Sequence, residues 1–139
     1  MTLADLEREG YIKKLPANKQ KVNDALNLAR RDSNTAKTIL GKDYDWAFSI
    51  AYNAMLQTIR ALMFSKGYRP SGNNQHISVV RFAEIFLDEE TVIIFDRMRR
   101  KRHSTIYDTA GTISKKEAEN AVEAAERLIQ EIGKIIKNK

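Results

Sequence analysis

The sequence has no cysteine, and only two prolines, six glycines and two histidines, His76 and His103, in 139 residues. Without thiols there is neither a disulfide framework nor a thiolate metal site, and two histidines are too few for a histidine-rich metal cluster. The cytoplasm is therefore the expected compartment, and no cofactor is expected. Scarce proline and glycine leave long uninterrupted stretches, which favour helices. The opening MTLADLEREG lacks a basic region followed by an apolar run, so it does not read as a secretory signal. A membrane span is not expected either. The most apolar window, Trp46 to Phe64, approaches spanning length, but Ser49, Asn53, Gln57 and Arg60 recur in it every three to four residues. That stripe marks a buried helix rather than a lipid-facing one. A glycine-rich phosphate loop and a pair of carboxylates suited to hydrolysis are also missing.

What is present is the composition of an ordinary globular protein, 42% hydrophobic and 30% charged. A chain of this length fits one domain, residues 1–139, and no repeat or linker divides it. Lys and Arg number 24 against 18 Asp and Glu, a net charge of +6. That balance permits a nucleic-acid partner without requiring one.

Periodicity predicts an all-α protein, an up-and-down bundle of four to five helices. A short opening helix around Leu3 to Glu9 precedes Pro16 and Asn18, which start a long helix ending at Gly41. Val22, Leu26, Ala29, Ser33, Ala36 and Leu40 mark its buried face. Asp43 or Asp45 then caps a helix reaching about Ser65 that is apolar nearly all round, as suits the centre of a bundle or a subunit interface. Lys66 to Gln75 reads as a loop, with Tyr68 and Arg69 at a pocket mouth. A shorter helix follows from His76 to Leu87, and Asp88 caps another running toward Tyr107. Ser114 and Glu117 form a capping box, with Ile113 as hydrophobic staple, for a last helix of near-heptad spacing.

The segment with most chemical content is Asp96 to Asp108, DRMRRKRHSTIYD. With ~100° between successive helical residues, Val92, Phe95, Arg99, His103 and Ile106 share one arc, so a face apolar at both ends is cationic in its middle. Asp96 and Tyr107 flank that arc and Arg102 lies at its other margin. Arg97, Arg100 and Lys101 fall further round, where a solvated face is the plainer reading. Arg99 and His103 have two readings. An Asp96, Arg99 and His103 network could merely fix packing, since a buried guanidinium needs an anionic partner. Alternatively the groups converge on a phosphodiester: histidine passes protons both ways near neutrality, and arginine matches phosphate in geometry and charge. On RNA, such a base would turn the 2′-hydroxyl on its own phosphate without needing a metal.

DYDWAFSIAYNAMLQTIRALMFSKGYRP, then His76, then FDRMRRKRHSTIYD, together resemble the HEPN superfamily over roughly residues 18 to 137. The resemblance implies a four- or five-helix bundle that pairs as a homodimer. Many such proteins are metal-independent endoribonucleases, frequently toxins encoded beside a small nucleotidyltransferase. Their motif is an arginine followed, after four to six residues, by a histidine. Here Arg97 and His103 match, with five residues between them. The chain departs from the pattern twice. Met98 stands where a small polar residue usually follows the arginine, and Thr105 where many members carry tyrosine, the nearest being Tyr107.

The motif thus selects Arg97, whereas helical geometry sets Arg97 about 120° from His103 and puts Arg99 beside it. A helix distortion or a residue from a second subunit would reconcile the two. The expected catalytic set is His103, Arg99 and Arg97, with Arg100, Arg102, Tyr107 and Asp96 contacting nucleic acid. RNA and a partner nucleotidyltransferase are the expected partners. The rival expectation is a non-catalytic module that binds a nucleotide or that partner. His76 reads as a helix-start residue, because a lone histidine brings no second ligand. Trp46 and Tyr52 read as core, with Tyr52 and Asn53 as candidates for polar contacts in a dimer interface.

Overall fold

A computed structural model describes residues 1–137. The opening helix α1 (Leu3–Arg8) is held by a capping box between Thr2 and Asp5. Next comes a strand that periodicity did not reveal. β1 (Ile12–Lys14) pairs antiparallel with β2 (Tyr68–Pro70), Ile12 opposite Pro70 and Lys14 opposite Tyr68. Three residues are too few to display an alternating pattern, and Gly67 and Pro70 make β2 read as loop. Tyr68 and Arg69 thus belong to this ribbon. The amide of Ser71 donates to the Tyr11 carbonyl at 2.8 Å, extending the pairing. Gly72 follows with φ of 91°, where a Cβ would stand 3.2 Å from the Gly10 carbonyl oxygen, so glycine is required for the close approach.

The long helices follow the capping chemistry of the sequence. Asn18 accepts from the amides of Gln20 and Lys21 to open α2 (Lys19–Ile39), whose buried face includes Val22, Leu26, Ala29, Ser33 and Ala36. Asp43 accepts from the Trp46 amide at 2.9 Å to open α3 (Tyr44–Ser65). Asp45 has a different task. Its carboxylate accepts from the amides of Gly111 at 2.6 Å and Ile113 at 3.3 Å, tying the loop before the last helix to the start of α3. The remaining helices are α4 (Gln75–Phe86), α5 (Glu89–Tyr107) and α6 (Lys115–Lys137), capped by Asn74, Asp88 and the Ser114–Glu117 box respectively. Ile113, the expected staple, is buried.

α3 is the axis of the bundle. It packs against α2, α4, α5 and α6, which explains why it is apolar almost all round. Phe48, Tyr52, Met55, Ile59 and Leu62 form the spine of the core, met by Phe82 of α4, Phe95 of α5 and Leu128 and Ile132 of α6. Trp46 does not join them. It lies in the first turn of α3 and is 54% exposed, contrary to its core spacing. Among the described residues no helix is long and apolar enough to cross a membrane.

Candidate nucleic-acid interface

α5 carries the cationic run as one continuous helix through His103, so no distortion brings Arg97 to the histidine. Its first turn carries Glu89 and Glu90, which the helix dipole favours there, and Arg97, Arg99, Arg100, Lys101 and Arg102 follow in its second half, before the last turn. The side chains then separate around the axis. Arg97 lines a groove of about 480 Å³ between α5 and α6, with Lys101, Glu117 and Asn120. Arg99 takes the other side. Its Nε donates to Asp96 Oδ1 at 2.9 Å, and both side chains are partly buried. Arg100 reaches the second carboxylate oxygen at 3.8 Å from a mostly exposed position.

His103 is exposed, and its ring packs on that of Tyr107 at 4.9 Å between centroids. It makes no hydrogen bond to any described residue. The packing network expected from the sequence therefore reduces to Asp96 with Arg99 and Arg100, and His103 stands outside it on the same arc. Met98 and Thr105, the two departures from the family pattern, both face inward. Met98 is in the core, and the buried Thr105 shares a 2.8 Å hydroxyl contact with Thr112.

Two residues that the sequence presents as merely structural hold the most unusual chemistry. Tyr52, fully buried on α3, lies stacked on Phe95 with centroids 5.2 Å apart, and its hydroxyl sits 2.8 Å from Nδ1 of His76 in the first turn of α4. The two ring planes are nearly parallel, 8° apart, with centroids separated by 5.8 Å. Arg102 completes the group, its guanidinium carbon 5.5 Å from the centre of the Tyr52 ring. Arg102 lies two turns after Phe95 and so projects inward toward α3 rather than outward. Burial pushes the Tyr52 phenol well above its ordinary value, and this outweighs the pull of Arg102 and Arg99. Burial also holds the His76 imidazole below 6.5, helped by repulsion from Arg102, Arg99 and Arg60. Tyr52 thus makes its polar contact inside the subunit, and Asn53 likewise turns to Asp32 at 3.5 Å.

Only a long-range contact joins Tyr52 to His76. One signal was available in the spacing: Phe95 and Arg102, seven residues apart, share a face, which marks Arg102 as the inward arginine. Among the described residues no three His, Cys, Asp or Glu side chains are grouped to hold a metal ion.

Fold and site together define an all-helical domain with a cationic strip along one helix of its bundle. The HEPN domain family matches residues 22–136, and the chain belongs to that family. Two solved structures share the fold. One is TT1696 from Thermus thermophilus, with a TM-score of 0.63 and 21% identity, over 82% of this chain and 97% of that one. The other is ST0689, an archaeal HEPN homologue, with a TM-score of 0.64 and 15% identity, over 83% and 97%. The comparison with curated protein sequences gave no match.

Proposed function

We propose that this chain is an RNA-directed HEPN protein, a metal-independent endoribonuclease of the toxin–antitoxin or defence type, acting as a homodimer. The observation that carries this reading is the exposed ring of His103, one turn beyond an arginine held in place by Asp96. His103 takes the 2′-hydroxyl proton as general base, and that oxygen attacks the adjacent phosphorus. The P–O5′ bond breaks, leaving a 2′,3′-cyclic phosphate, while the 5′-oxygen takes a proton from water and leaves as the alcohol. Arg99 stabilises the charge that builds on the phosphoryl oxygens, because its guanidinium is partly shielded and pre-positioned. Arg97 and Arg100 supply phosphate contacts from the same helix, with Tyr107 beside the histidine.

A second reading is favoured by the inward-facing Met98 and Thr105, which give the motif's usual polar neighbours to the core. In it the strip binds without cutting, holding a nucleotide or a partner nucleotidyltransferase. The test is purified protein incubated with labelled RNA in chelator, beside His103→Ala. Cleavage ending in cyclic phosphate and lost in the variant supports the enzyme. Binding with no cleavage by either protein selects the module, and cleavage that persists in His103→Ala removes His103 from the chemistry.

A further inference from the structure

The Tyr52 and His76 pair takes no part in the reaction above; with Arg102 it forms a second cluster that shares Arg99 with the site proposed there. Its hydrogen-bonding inventory is one-sided. The buried phenolic hydrogen needs an acceptor, and His76 Nδ1 lies 2.8 Å from the oxygen. If the phenol donates to Nδ1, the imidazole hydrogen must sit on Nε2, which becomes a neutral donor. Around it are Arg102 and Arg99 from α5 and Arg60 from α3, all close enough to suppress protonation of the ring. The buried Nε atoms of Arg102 and Arg60 have no hydrogen-bond partner among the described residues.

Three guanidinium groups are thus balanced by the single carboxylate of Asp96, which is already taken by Arg99. Arg100 also leans on that carboxylate from outside. His76 further stands in the first turn of a twelve-residue helix, whose free amides add partial positive charge. Donors without acceptors among the described residues, and an excess of about two positive charges, suit the group to an anion.

We infer that His76, Arg99 and Arg102, oriented by Tyr52 and backed by Arg60, form a receptor for a phosphomonoester group where α3, α4 and α5 meet. The dianion of a monoester matches the local excess of charge, whereas a backbone diester carries only one negative charge. His76 acts here as a neutral donor and Tyr52 as a positioning residue that fixes its tautomer. The monoester comes from the end of an RNA strand or from a free mononucleotide.

The test is calorimetric titration of the full chain with inorganic phosphate, a 5′-mononucleotide, and one RNA oligonucleotide bearing either a 5′-phosphate or a 5′-hydroxyl. Arg102→Gln should weaken phosphate binding by at least ~10-fold, because a charge-assisted contact is lost. Tyr52→Phe should weaken it several-fold. Tighter binding of the phosphorylated RNA end assigns the source to RNA. A mononucleotide that outbinds inorganic phosphate, with no preference between RNA ends, assigns it to free nucleotide. In ¹⁵N spectra His76 should be protonated at Nε2, and that signal should move on adding phosphate, which a purely structural pair would not do. Should Arg102→Gln not fold, Arg99→Gln carries the same expectation. Phosphate affinity indifferent to these arginines, or a His76 protonated at Nδ1, overturns the inference. Because phosphate binding is read separately from RNA cleavage, losing either result leaves the other standing.

Discussion

The hydroxyl of Tyr52 and Nδ1 of His76, 24 residues apart in the chain, meet at 2.8 Å and join the central helix to the first turn of α4. The pair gives the fold a defined response to acid. His76 is held below 6.5, so between 6.5 and its lower folded value the unfolded chain binds a proton that the folded chain does not. Stability therefore rises with pH across that window and falls on acidification. The groups that act on the ring are Tyr52 and Arg60 of α3 and Arg99 and Arg102 of α5, three of them cationic, while Asp96 of α5 acts on the Tyr52 phenol. Melting temperatures of the wild type and His76→Gln, measured from pH 7.5 down to 5, should diverge. The wild type loses stability through this window, and the variant loses less. Parallel curves would mean that the imidazole is not kept neutral.

Phe95 lies on the other side of the Tyr52 ring and is fully buried. Phe95→Ala should cost about 3–5 kcal/mol, since it leaves a cavity and removes the stack that seats Tyr52. Tyr52→Phe keeps the volume and loses only the hydroxyl, so about 1 kcal/mol is expected. Chemical denaturation with an unchanged slope checks both. A Tyr52→Phe cost as large as that of Phe95→Ala would show that the hydrogen bond, not the packing, dominates here.

The link from Asp45 to the loop before α6 gives a third outcome. Its carboxylate holds the amides of Gly111 and Ile113, and Gly111 has φ of 76°. Asp45→Ala should lower stability by roughly 1–3 kcal/mol by freeing two donors. Asp43→Ala should cost about 1 kcal/mol, as for loss of an N-cap. Equal effects would mean that the loop amides find water at no cost.

Helix positions and caps were legible because they are local. Asn18, Asp43, Asp88 and the Ser114–Glu117 box each act within three residues of themselves. The β1–β2 ribbon was not, because its partners lie more than fifty residues apart and each strand is three residues long. The α5 arc was read in part. Spacing placed Asp96 and Arg99 together, but it could not tell that His103 projects to solvent, that Arg102 turns onto Tyr52, or that Trp46 escapes the core. His76 was invisible because a single histidine has no local signature. Its meaning comes entirely from what α3 and α5 bring to it.

Two arginines compete for partnership with His103, and the geometry separates them. Arg99 lies one turn before His103 and is fixed by Asp96, while Arg97 faces the α5–α6 groove without an ion pair to any described residue. Arg99→Gln should therefore reduce RNA cleavage by ~100-fold or more, the scale of a lost transition-state donor. Arg97→Gln should act mainly on binding. It should lower the dependence of log affinity on log salt by about 0.7, the value for one phosphate contact on a single strand. His103→Ala should abolish cleavage and change stability by less than about 0.5 kcal/mol, as for an exposed side chain. Combining Arg97→Gln and Arg99→Gln with His103→Ala then apportions the coupling. If Arg97 rather than Arg99 proves non-additive with His103, the pair must assemble across two subunits, because within one continuous helix the two side chains point apart.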